Sequence, residues 1–181
     1  MKITPSIDII IGPMYAGKTT ELLRRLEIYA KLDVKTLYIN SILDSRSSLP
    51  FSSHNPLLNS AKSMICDHVK VKNLCDVNCD KYQVIGIDEG QFFGDLKTYV
   101  TSSINKDKKI IISGLNGDFK QQPFGDIINL IPCCDSIDLL TPFCKLCKDR
   151  LTPAPFTKRT SNEKHTISVD TNYIPVCRKH L

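Results

Sequence analysis

DIIIGPMYAGKTTELLRRL, residues Asp8 to Leu26, joins an apolar run to a helical pattern through a turn with glycine at both ends. The run around Ile9 to Ile11 is β-prone, and Leu22, Leu26 and Tyr29, with Leu23 and Ala30 beside them, form one stripe of a helix over Thr19 to Leu32. Between them, Gly12, Pro13, Met14, Tyr15, Ala16, Gly17, Lys18 and Thr19 fit G-x-x-x-x-G-K-[ST], with Thr20 following in the helix start. Such a loop curls so that successive backbone N–H groups face a polyphosphate, and the helix adds its unpaired amides and the positive end of its dipole. In that arrangement Lys18 reaches the β and γ phosphates, and the Thr19 hydroxyl serves Mg²⁺. The pattern arises by chance in about one chain in a hundred of this length. Its position between a strand and a helix is the context that separates a working loop from an accident.

Working outward, β-prone runs recur at Lys35 to Ile39, Gln83 to Ile87, Ile110 to Ser113 and Ile137 to Leu140. Several are nearly continuous, as in strands of a parallel sheet covered on both faces. Strand, helix, strand makes the first part α/β, with a second helix expected over Asp95 to Asn105 and Leu96, Tyr99, Val100 and Ile104 on its buried side. The serine-rich stretch Ser41 to Ser63 reads as a long loop. Beyond Pro142 the chain turns polar and cysteine-containing, so a boundary is placed near Leu140, dividing 1–140 from 141–181.

The run VIGIDEGQFF places Asp88 and Glu89 at the C-terminal end of a strand, where ligands bind in open α/β sheets. The expectation is a strand next to the phosphate-loop strand, with Asp88 serving the metal and Glu89 taking a proton from an attacking hydroxyl. Cys144-x-x-Cys147 and Cys177-x-x-His180 are two chelating pairs. Together they complete a four-ligand tetrahedral zinc site with no place left for a catalytic water. Cys75 and Cys79 have no second pair nearby and read as core or surface thiols, Cys133 and Cys134 as small core residues, and His54 and His68 as surface histidines.

The protein has 181 residues, 41% of them hydrophobic, enough for one compact domain with a small appendage. Its formal charge of +5 suits phosphorylated ligands as well as nucleic acid. Neither a secretory signal nor a membrane span is expected, which points to a soluble cytoplasmic protein and makes free or metal-bound thiols the better reading of eight cysteines. A zinc-bearing nucleic-acid-binding NTPase would show a basic stripe with interleaved aromatics. Here the basic residues after Cys144 are scattered among Asp149, Glu163 and Asp170, and there is no tryptophan.

With these pieces in hand, the chain resembles the type II thymidine kinases, the zinc-containing class of cells and some DNA viruses. The resemblance rests on GPMYAGKTTELLRR, Asp44-Ser-Arg46, VIGIDEGQFF, GLNGDF at Gly114 to Phe119, PFG at Pro123 to Gly125, FTKR at Phe156 to Arg159, and the four zinc ligands. It implies transfer of the γ-phosphoryl of ATP to the 5′-hydroxyl of thymidine in nucleotide salvage, with Glu89 as general base. It implies that Arg46 neutralises charge on the moving phosphoryl and that Phe92, Leu115, Phe119, Phe124 and Tyr173 border the nucleoside. A lasso loop over Phe156 to Tyr173, anchored by the zinc, would read the base through its backbone. Ser168 and Val169 stand where family members usually carry glycines. Feedback inhibition by dTTP and a homotetramer are implied as well. A kinase of another nucleoside or small hydroxyl compound is the alternative; it would keep Glu89 and alter the lasso.

Overall fold

The computed structural model describes residues 3–44, 66–161 and 172–181. Arg46, His54, His165, Ser168 and Val169 lie outside them.

The phosphate loop links β1 (Ser6–Gly12) to α1 (Lys18–Ala30). Then follow β2 (Thr36–Ser41), β3 (Asp67–Val71), β4 (Val84–Ile87), α2 (Leu96–Ile104), β5 (Lys109–Leu115) and β6 (Ser136–Leu139). These six strands form one sheet in the order β3-β2-β4-β5-β1-β6. Every pairing in it is parallel. The order corrects one expectation: β4, which carries the acidic pair, is not next to β1, because β5 lies between them. β5 pairs with β1 along its whole length and with β4 over Lys109 to Ile112, burying Ile110, Ile111 and Ile112 completely.

Alternation along the strands divides the core in two. Ile7, Ile9 and Ile11 of β1 face Leu96, Tyr99 and Val100 of α2. Ile10, with Tyr38, Val84 and Ile111, faces Leu22 and Leu26 of α1. α1 approaches β4 closely because Gly86 lacks a side chain; a Cβ there would lie 2.6 Å from Leu26 Cδ1. β3 was not apparent in the sequence. It is an edge strand carrying Asp67, His68 and Lys70, and charge of that kind protects an exposed edge while erasing the apolar signature.

β7 (Phe156–Arg159) and β8 (Tyr173–Val176) pair antiparallel as a separate ribbon. Its own small core is Cys144, Ala154, Val176 and Cys177. Cys133 departs from the expected core placement and is exposed, while Cys134 is half-buried and packs against the main core. The 3-10 turn Ile128–Cys133 buries Leu130 and then leaves the core, and the two thiols donate to carbonyls three residues back.

Candidate active site

All six parallel strands end at one edge of the sheet, and there β1 runs into the phosphate loop. Tyr15 (φ 64°) and Gly17 (φ 81°) adopt left-handed backbone, which curls the loop before α1 begins at Lys18. Lys18 and Thr19 are buried. The Lys18 ammonium donates across the loop to the Pro13 carbonyl at 2.9 Å. On the far side the Met14 amide donates to the Thr157 hydroxyl of β7 at 3.0 Å, joining the loop to the ribbon.

Asp88 and Glu89 leave the end of β4 in different directions, as adjacent residues of a strand must. Asp88 is buried, and both its oxygens accept hydrogen bonds. Oδ2 takes the Tyr38 hydroxyl at 2.8 Å, and Oδ1 takes the Ser113 hydroxyl and the Glu89 amide. Burial, then the Asp88 carboxylate beside it, push the Tyr38 phenol well above its ordinary value, so it remains a donor. Glu89 is also buried and sits at φ 50°, ψ 44°, a conformation that costs a non-glycine residue about 1 kcal/mol or more. The strain is held by Gln91, whose Nε2 donates to Glu89 Oε2 at 2.5 Å while its Oε1 accepts the Leu115 amide at 3.0 Å. An oxygen-only set of Thr19 hydroxyl and Asp88 carboxylate suits Mg²⁺, a hard cation that keeps several of its waters.

The apolar residues expected at the nucleoside fall into two ring pairs. Phe92 and Phe124 meet edge-on at 5.8 Å, and Phe119 and Tyr173 meet at 6.2 Å with a tilt of 49°. Leu115 ends β5 beside Gln91. The Arg159 guanidinium lies 4.0 Å from the Phe119 ring centre and 5.1 Å from that of Tyr173, and its Nε donates to the Tyr173 hydroxyl at 3.2 Å.

Cys144, Cys147, Cys177 and His180 bring their ligand atoms within 4.8 Å of one another. A tetrahedral zinc sets sulfur–sulfur edges of about 3.8 Å and sulfur–nitrogen edges of about 3.6 Å. The Cys147–Cys177 edge is 3.7 Å, and the three sulfurs lie 3.4 to 3.5 Å from His180 Nδ1. Burial opposes the Cys144 thiolate, but amide hydrogen bonds, led by that from Cys177, bring it down to about 6. The donor chemistry and the edges both fit zinc.

The residues expected in the phosphate loop, the acidic pair and the four-ligand cluster are therefore each assembled; Arg46 is outside the described residues. Missed in the sequence were Gln91, Arg159, Thr157, Tyr38 and Ser113. Ser113 did leave a signal, as a hydroxyl directly after the apolar run Ile110 to Ile112.

The thymidine kinase family profile matches residues 5–181. The thymidine kinase of Choristoneura biennis entomopoxvirus is 39% identical over 96% of this chain and 94% of its own length. That of Monkeypox virus is 37% identical with the same coverage. Cytosolic thymidine kinase of Bos taurus is 35% identical over 95% of this chain and 70% of its own length. Among solved structures, the flagellar accessory protein FlaH of Methanocaldococcus jannaschii superposes with a TM-score of 0.53 over 80% of this chain and 74% of its own. At 15% identity that likeness speaks to the fold alone. A match that runs from before the phosphate loop to the last cysteine and histidine of the cluster, with viral relatives of similar extent, means that the chain belongs to the thymidine kinase family, in the type II class that its motifs resemble.

Proposed function

We propose that the protein transfers the γ-phosphoryl of ATP to the 5′-hydroxyl of thymidine, and of deoxyuridine, with Glu89 as the general base. The observation that carries this reading is the shared sheet edge: the phosphate loop after β1 and the Asp88–Glu89 pair after β4 open on the same side, with β5 as spacer. The phosphate loop over Gly12 to Thr20, through the backbone N–H groups it offers, and the Lys18 ammonium hold the phosphates. Thr19 and Asp88 hold Mg²⁺, which neutralises charge on the phosphate oxygens when bound. Glu89, fixed by Gln91, accepts the proton of the attacking hydroxyl. Arg46 stabilises the charge that spreads over the moving phosphoryl. Phe92, Leu115, Phe119, Phe124 and Tyr173 border the nucleoside, and zinc on Cys144, Cys147, Cys177 and His180 anchors the segment that closes over it.

The division at residue 140 is part of this reading, with a phosphate-binding unit before it and a zinc-anchored unit after it. So is dTTP as a feedback inhibitor that enters the same site. A homotetramer is supported by β6, whose outer edge pairs with no other described strand and whose Ile137 and Leu139 are exposed. A cytoplasmic location is supported by the bovine relative's name, and no helix among the described residues is long and apolar enough to cross a membrane.

The test is ATP consumption by the purified protein with Mg²⁺, screening thymidine, deoxyuridine, deoxycytidine and the purine deoxynucleosides side by side. Turnover confined to thymidine and deoxyuridine is the expected result. Turnover with another nucleoside would move the substrate and implicate Ser168 and Val169; ATP hydrolysis stimulated only by nucleic acid would overturn the reading.

A further inference from the structure

Tyr38 and Ser113 are two buried hydroxyls on β2 and β5, and both end on the same carboxylate. β2 and β5 are the two neighbours of β4, so Asp88 is approached from the strand on either side. The register explains the reach. Tyr38 lies opposite Gly86 and Gly86 opposite Ile111, so by alternation Tyr38, Asp88 and Ser113 all point to the α1 face. Asp88 stands two residues beyond Gly86, about 6.6 Å along the strand. A phenol spans that distance, and the ring of Tyr38 is completely buried along the way. The Glu89 amide adds a third donor, on the same oxygen as Ser113.

We propose that Tyr38 and Ser113 are positioning residues for the divalent cation: by holding one oxygen each, they fix the plane of the Asp88 carboxylate before metal and nucleotide arrive. This rests on the reading of Asp88 as a metal-binding residue. An ionised carboxylate only accepts, so each hydroxyl must donate, and a donor on each oxygen blocks rotation about the terminal side-chain bond. Partners of this kind, one step removed from a metal, are worth about 10-fold to 100-fold in its affinity. A purely structural role would instead appear in the melting temperature and leave metal affinity where it was.

The experiment measures Mn²⁺ binding by the disappearance of its free electron paramagnetic resonance signal, in the presence of a non-hydrolysable ATP analogue. It compares the parent protein with Tyr38→Phe, Ser113→Ala, the double variant and Asp88→Asn. Affinity for the analogue in EDTA and the melting temperature are recorded beside it. Tyr38→Phe is expected to weaken Mn²⁺ about tenfold and the double variant further, with analogue affinity in EDTA unchanged. Ser113→Ala removes a single oxygen and keeps the test open if the tyrosine variant fails to fold. Parent-like Mn²⁺ binding in folded variants, with Asp88→Asn impaired, overturns the positioning role alone. A parent that binds no Mn²⁺ with the analogue, or an Asp88→Asn variant that binds it normally, overturns the metal reading itself and this inference with it.

Discussion

Asp88 and Glu89 stand on a sheet covered on both faces, with Ile85, Ile87, Ile110 and Ile112 wholly buried beneath them. Cys144, Cys147, Cys177 and His180 stand on almost nothing: Ala154 and Val176 are the apolar residues buried in the core of their ribbon. Fully burying an aliphatic side chain contributes about 1.5–3 kcal/mol, so the ribbon's own core cannot offset the entropy of ordering it. Zinc contributes on the order of 10 kcal/mol in peptides of comparable ligand set. The first region is positioned by packing and can afford strain, as at Glu89; in the second, a four-ligand cluster that fits zinc stands where a core would be. On the proposed reading, catalytic precision and substrate closure therefore fail by different routes.

The sharpest separation comes from Glu89→Gln. Expected is a fall in turnover of about 10²-fold or more with ATP affinity and zinc content unchanged, read by steady-state kinetics and metal analysis. Near-parental turnover would remove Glu89 from the chemistry. Next in size is Cys144→Ser, or removal of zinc by a chelator. The sheet should keep its cooperative melt while the thymidine KM rises about tenfold, the cost of ordering a few loosened side chains on binding. A single collapse of sheet and ribbon together, seen by circular dichroism during chelation, would break the contrast drawn above.

Gln91→Leu sharpens it from the packed side. It removes the hydrogen bond to Glu89 and strands the Leu115 amide. Stopped-flow turnover should drop about tenfold, from a loss of about 1–3 kcal/mol, with little change in melting of the ribbon. The smallest effect concerns Glu21, whose carboxyl is held at about 2 by the Arg24 hydrogen bond, with burial opposing and Arg25 assisting. Because the folded value lies below the ordinary one, its stabilisation is present in full above about pH 4.5 and is lost as pH falls through about 2. Melts of Glu21→Gln against the parent should differ by about 1–2 °C at pH 6 and converge toward pH 2, since a partly exposed pair contributes a few tenths of a kcal/mol.

How much of this was legible in the sequence follows from the same contrast. The phosphate loop, the acidic pair and the cysteine spacings are local, and each was readable because its chemistry requires neighbours in the chain. Strand order was not: nothing in Gln83 to Ile87 or Ile110 to Ser113 states that the second lies between β1 and β4. Gln91 bridges to Leu115, Tyr38 to Asp88, and Met14 to Thr157, all between residues brought together only by the fold. Polar atoms that meet across a sheet leave no periodicity behind. Cys133 shows the opposite error, an apolar context that does not enclose it.

The hydrogen bond from the Met14 amide to the Thr157 hydroxyl belongs at once to the phosphate loop and to the ribbon. A ligand that seats β7 more firmly must therefore bias the loop's conformation, and a nucleotide that tightens the loop must bias the ribbon. Thermodynamic linkage makes the two influences equal: the factor by which ATP changes the affinity for nucleoside is the factor by which nucleoside changes the affinity for ATP. On the proposed reading, the phosphate and nucleoside sites share a single donor and acceptor and form one cooperative unit.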